Sequence, residues 1–226
     1  MTFSLSPTLR TLKITRVLPS ISPKTFFKVV KNVSQYPQFV PFMNTATIDK
    51  STLKVMTWPD FNKIGKDNEY EYFEGFKARV GVGYSDSGGE GNSSSLMAES
   101  YTSQVKAQVS LHSSGSSDRL NDGEGNKTDK RYVVRSKALD SETFSTLEST
   151  WIMKPSDISS SDFNSPSKTV NNGEGTNLSF ELRYQVRSNP LIDVFVRNTF
   201  SSIAEKQVAA FIRRGEEEEG KEENSS

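Results

Sequence analysis

The last long patterned stretch of this chain, Pro190 to about Gly215, leaves little freedom in the choice of fold. It reads PLIDVFVRNTFSSIAEKQVAAFIRRG, with Ile192, Val196, Phe200, Ile203, Ala204, Val208 and Phe211 recurring at spacings of three and four residues. That period is one broad apolar face of an α-helix. Pro190 suits a first helical position, and Arg213, Arg214 and Gly215 read as cations in a last turn followed by a glycine C′ cap. Leu191, Val194 and Phe195 fall off the main stripe, so the first two turns are apolar nearly all round. Such a helix needs a large apolar surface to lie on and a second apolar partner at its start.

The rest of the chain supplies the surface. Leu12, Ile14 and Leu18 alternate with Thr11, Lys13 and Thr15, a half-buried strand. Ser22-Pro23 then reads as an N-cap and N1 proline, opening a short helix to about Lys31. VSQYPQFVPFM, residues 33–43, follows as a second short helical turn capped by Ser34, with Pro37 and Pro41 keeping it short. Strand patterns come next over Met43–Leu53, Glu69–Tyr84, Met97–Val109, Tyr132–Ala138 and Phe144–Met153. The clearest runs through Leu178, Phe180, Leu182, Tyr184 and Val186. Period-two alternation describes an antiparallel sheet with one wet face. The order predicts an α+β fold, a curved antiparallel sheet around one long C-terminal helix, with two short helices after the first strand and space for a ligand between sheet and helix.

Three stretches, 85–95, 113–129 and 156–176, are rich in Ser, Gly, Asn and Asp and read as polar inserts at strand junctions. The expected organisation is a leader at 1–8, a single domain at 9–215 and a disordered acidic tail at 216–226. The 28 basic and 28 acidic residues cancel, so composition gives no support for nucleic-acid binding. The chain has no cysteine, which excludes disulfides and thiolate chemistry. No apolar run reaches the ~20 residues that span a bilayer. No acidic residue precedes Asp49, and the Ser/Thr-rich, basic first segment has the composition of a mitochondrial targeting sequence.

A search for chemistry finds no P-loop, dinucleotide fingerprint, nucleophile elbow or metal-ligand spacing. His112, the single histidine, sits where a strand pattern dissolves into a polar loop. Glu69 and Glu71 share a solvent-edge parity, and Glu148 opposes Trp151 in parity and faces water. Glu99 shares parity with Tyr101 and points inward, where it needs a partner. Lys77 and Arg79 face outward. Catalytic and metal-ligating residues are therefore expected to be absent, and so is any cofactor.

Several segments resemble the coenzyme Q-binding protein family, within the START-like polyketide cyclase/dehydrase and lipid-transport group. They are TRVLP at 15–19, SPKTFFKVVKNVSQYPQFVPF at 22–42, GFKARV at 75–80, ESYTSQV at 99–105, LESTWIMKP at 147–155 and the terminal helix. The resemblance implies a helix-grip fold enclosing a hydrophobic tunnel that holds coenzyme Q or a related isoprenoid lipid. It implies a non-enzymatic lipid chaperone supporting respiration and quinone synthesis, peripheral on the matrix side of the mitochondrial inner membrane, with quinone-biosynthesis or respiratory-chain proteins as partners. By matching position, Tyr36, Phe39, Val40, Pro41, Phe42, Trp151, Val196, Phe200 and Ile203 would line the tunnel. Leu191, Val194 and Phe195 would meet the membrane at its mouth. Compact family members often carry Trp-Cys where this chain has Phe42-Met43, which keeps the bulk and loses the indole N–H. The alternatives are a cyclase/aromatase-type enzyme on the same fold or a ribosome-associated interaction module.

Overall fold

The structure, a computed structural model, describes residues 8–57, 70–85, 95–113, 128–156, 175–187 and 190–224. The leader and the three expected inserts fall almost wholly outside these. Seven strands form one antiparallel sheet: β1 (Arg10–Leu18), β2 (Met43–Thr57), β3 (Tyr70–Ser85), β4 (Ser95–Ser113), β5 (Thr128–Ala138), β6 (Phe144–Pro155) and β7 (Thr176–Val186). Their spatial order is β1-β7-β6-β5-β4-β3-β2, so the first two strands occupy opposite edges of a curved sheet. The chain crosses between those edges through helix α1 (Pro23–Lys31) and a 3-10 turn (Val33–Gln38), and ends in helix α2 (Pro190–Glu223).

The local reasons match the pattern in the chain. Ser22 caps α1, its Oγ accepting from Thr25 N at 3.2 Å, with Pro23 in the first turn. The inward parities of β1 and β3–β7 meet α1, the 3-10 turn and α2 in a main core that includes Phe26, Val30, Phe76, Val105, Met153 and Val208. Phe27 and Val30 of α1 are buried, while Lys31 closes the helix by donating to Tyr72 Oη and Glu74 Oε2 of β3, each at 2.9 Å. Burial alone would depress the Lys31 ammonium, but these bonds hold it above its usual range.

Three expectations are corrected. Ser34 does not cap the 3-10 turn, which has no side-chain cap; its hydroxyl donates to Asn32 Oδ1 at 2.8 Å instead. β2 runs on to Thr57, past a register shift between Asp49 and Lys54 where Asp49 Oδ1 accepts from Ser51 N at 3.0 Å. The largest correction is at the C-terminus, where Gly215 is no cap and the acidic residues are not disordered, because α2 continues to Glu223. Gly215 is buried against α1, where an added Cβ would lie 3.1 Å from Phe26 Cδ2 and 3.2 Å from Ile21 Cδ1. The glycine therefore permits a close helix crossing rather than ending a helix. Beyond it the acidic residues have partners. Glu219 Oε2 accepts from Ser22 N and Ser22 Oγ, each at 3.2 Å, and Glu222 Oε1 accepts from Lys28 Nζ at 2.5 Å. Carboxylates at the amino end of α1 also complement its macrodipole.

Candidate functional site

A cavity of about 200 Å³ lies between the inward face of β3–β7, the 3-10 turn and the middle of α2. Its walls are largely aliphatic and aromatic because each strand contributes alternate residues and α2 contributes every third or fourth. Two groups of rings flank it. In one, Phe211 meets Tyr36 and Phe39 edge-on, with centroids 5.0 and 5.1 Å apart, and lies 4.7 Å from Trp151. In the other, Phe200 packs 5.4 Å from Phe144 and 4.8 Å from Tyr184.

Of the nine predicted tunnel residues, Tyr36, Val40, Phe42, Trp151, Phe200 and Ile203 line this cavity, whereas Phe39, Pro41 and Val196 do not. Phe39 stands behind the wall, against Tyr36 and Phe211. Val196 is fully buried one turn earlier than Phe200, in a satellite core with Phe144, Tyr184 and Val186. Pro41 is half-buried beside Val40. Phe42 adopts φ 67°, in the left-handed region, while its carbonyl accepts from Gly83 N at 2.9 Å. Holding a bulky residue there costs about 1 kcal/mol or more, and it turns the chain into β2 with Phe42 on the cavity.

Sequence reasoning missed much of the strand wall, including Val80, Val82, Tyr101, Ser103, Val105, Ser136 and Ser149, together with Gln207 and Phe211 of α2. The signal was present as inward parity, shared by these positions with residues already recognised as strand interior. The polar members of that set, Ser103, Ser136, Ser149 and Gln207, were invisible to a reading based on apolar alternation.

The polar groups around the cavity fall into two classes. Some are committed to the protein: the Tyr36 hydroxyl donates to Val30 O, and Ser136 Oγ and Ser149 Oγ share a 2.7 Å hydrogen bond. Glu99 faces inward as expected, and its partners are backbone groups. Oε1 accepts from Glu142 N at 2.6 Å and Thr143 N at 3.5 Å, holding the β5–β6 turn, while Oε2 is buried with no partner. The others face the open space: among the described residues nothing hydrogen-bonds the Tyr101 hydroxyl, Ser103 Oγ or the Gln207 amide. Burial pushes the Tyr101 phenol up to about 12, with the Glu99 carboxylate adding to the shift. Tyr36 is raised further, again by burial.

Other expectations concern the surface. Lys77 and Arg79 are exposed on the outer face, where Arg79 pairs with Asp140 at 3.1 Å. Glu148 sits on that face too, bridging Lys137 at 3.2 Å and Arg183 at 3.7 Å. Of the three residues expected at the membrane, Val194 is 51% exposed. Phe195 is half-buried and packs on the satellite core. The side chain of Leu191, like that of His112, lies outside the described residues. No cluster of possible metal ligands exists among the described residues, and no helix is long and apolar enough to cross a membrane.

The architecture has counterparts among solved structures. The chain is similar to the Zhui aromatase/cyclase from a Streptomyces species, with TM-score 0.45 and 11% identity over 94% of each chain. It is similar to an 18 kDa protein from Caulobacter crescentus, with TM-score 0.48 and 16% identity over 93% of this chain and 99% of that one. It is also similar to human STARD10, with TM-score 0.47 and 5% identity over 93% of this chain and 66% of that one. No curated protein matches the sequence. The family described as polyketide cyclase / dehydrase and lipid transport matches residues 19–212, nearly the whole of the sheet and all of the cavity. A sheet gripping a long helix around an apolar cavity suits a hydrophobic ligand, and the chain belongs to the polyketide cyclase / dehydrase and lipid transport family.

Proposed function

We propose that this protein binds an isoprenoid lipid of the coenzyme Q kind in the cavity under α2 and carries it without chemical change. The observation behind this reading is the cavity's lining, which among the described residues is mostly aliphatic and aromatic and includes no Asp, Glu, His, Lys or Arg. Burial of each CH₂ stabilises such a complex by roughly 0.8 kcal/mol, so a few isoprene units bind tightly through apolar contact alone. Catalysis by proton transfer needs an acid or base poised near the working pH. Glu99, on the same β4 parity as Tyr101, does not line the cavity, and its Oε1 is engaged with backbone N–H groups. The sequence resemblance adds the mitochondrial setting: a peripheral protein on the matrix side of the inner membrane, serving quinone-synthesis or respiratory-chain proteins. Val194, exposed on the first turns of α2, supplies an apolar contact for the bilayer.

The test is organic extraction of the purified full chain, expressed in a quinone-producing host, followed by mass spectrometry. Recovery of a prenylquinone at a substantial fraction of the protein is the expected result. Absence of any lipid, with no uptake from quinone-loaded vesicles, overturns the proposal. The family also takes in cyclases and dehydrases, and the unpartnered Tyr101 hydroxyl is the feature that favours such chemistry here. Recovery of a cyclised or dehydrated product from a poly-β-ketone substrate, lost in Tyr101→Phe, decides for that reading.

A further inference from the structure

Within a largely apolar wall, Ser103 lines the cavity from β4. Its neighbours across the sheet are Ala78 on β3 and Ala138 on β5, both small. Directly opposed residues in an antiparallel sheet have Cβ atoms about 5 Å apart. Ala138 lines the cavity together with Ser103, while Ala78 is fully buried in the main core. Tyr101, two residues back on the same strand face, also lines the cavity, and Gln207 lines it from α2, one turn after Ile203. None of the three has a hydrogen-bond partner among the described residues. Their polar atoms are not among the fully buried unpaired ones and are open to the cavity, where a ligand oxygen can pair with them. All three line the same cavity, from β4 and from α2.

We infer that Tyr101, Ser103 and Gln207 form an anchor for the head of the bound lipid, and that this head is uncharged and carries carbonyl-type oxygens. All three side chains donate, so they suit a ketone, quinone or ester oxygen. Among the described residues no ionic side chain lines the cavity to compensate a carboxylate or phosphate, whose desolvation would be far more costly than that of a carbonyl. Burial keeps the Tyr101 phenol protonated through the physiological range, so it remains a donor. The inference rests on the carrier reading and adds the selectivity of the site: apolar contact holds the tail, and this trio selects the head.

The experiment uses the full chain carrying Trp58→Phe, which leaves Trp151, on the cavity wall, as the sole indole. Quenching of its fluorescence by a decyl-substituted benzoquinone reports binding, and decylbenzene and decanoate serve as competitors of matched tail length. Tyr101→Phe and Ser103→Ala are each expected to weaken the quinone about tenfold, the loss of one good hydrogen bond. Decylbenzene should bind these variants as it binds the parent, and decanoate should compete poorly throughout. Unchanged quinone affinity in both variants and in Gln207→Leu overturns the anchor while leaving the carrier reading intact. Decanoate competing as well as the quinone overturns the selection for a neutral head. If neither quinone nor decylbenzene binds the parent protein, the carrier reading itself fails. Thermal melting of each variant separates a lost contact from a lost fold, and Ser103→Ala, the smallest change, serves should Tyr101→Phe melt early.

Discussion

At the scale of single residues, the tyrosines are the informative group. Tyr36 and Tyr101 are raised by burial, and Tyr72 and Tyr184 are raised with burial as the first cause. A phenol with a folded-state pKa above its unfolded value of ~10 retains its proton better in the folded chain. Its contribution is therefore complete below about pH 10 and is lost as pH rises toward the folded value. Unfolding by urea at pH 8 and pH 11 should show a marked loss of stability at the higher pH. Tyr101→Phe should make that loss shallower, since its window runs from about 10 to about 12; an unchanged pH profile would argue that the ring is not enclosed. Tyr36→Phe tests a different bond, the one to Val30 O that ties the 3-10 turn to α1. It should cost about 1 kcal/mol, read as a lowered melting temperature. The inward side of the strand rings, Tyr72, Tyr101 and Tyr184, was legible from parity, whereas Tyr36 was placed through the family resemblance. The burial that shifts them was not, since it depends on what α2 and the 3-10 turn lay across the strands.

At the scale of elements, the instructive case is the far end of α2. An Arg-Arg-Gly sequence followed by acids is a reasonable stop signal in an isolated helix. In the folded chain Gly215 faces Ile21 and Phe26, and the helix goes on because Ser22 and Lys28 engage Glu219 and Glu222. Gly215→Val should cost about 2 kcal/mol by overpacking, whereas a true cap position would lose helix termination and leave the α1 contact untouched. Glu219→Ala should cost about 1 kcal/mol, the usual magnitude for losing a hydrogen bond, here the one from the Ser22 backbone N–H. Both are measurable by thermal melting, and hydrogen exchange should place the effect of Glu219→Ala on the first turn of α1. A neutral result for both would remove the acidic segment from the folded unit. Local sequence could not show this, because a glycine for close approach and a glycine for a cap look alike until the neighbouring element is known.

At the scale of the whole molecule, the first turns of α2 separate two roles that sequence had joined. Val194 faces solvent, while Phe195 packs on Phe144, Tyr184 and Val186. Val194→Asn should leave melting nearly unchanged and reduce sedimentation with anionic liposomes, whereas Phe195→Ala should lose about 2 kcal/mol whatever it does to liposomes. Equal effects on both measurements would mean that the two residues share one role after all. Seven strands, the short helices and the long closing helix were all legible in the chain, because alternation and the 3.6-residue period follow directly from backbone geometry. So were six of the cavity-lining residues, through resemblance and pattern together. The sequence by itself determined which face of each element turns inward, since that is a one-dimensional property of apolar spacing. Only the tertiary structure decided that Phe39 and Val196 stand outside the cavity, that Gly215 is a crossing point, and that Tyr101, Ser103 and Gln207 line one cavity. Those facts depend on which elements pack together and how closely, and such distances are set by the summed packing of residues far apart in the chain.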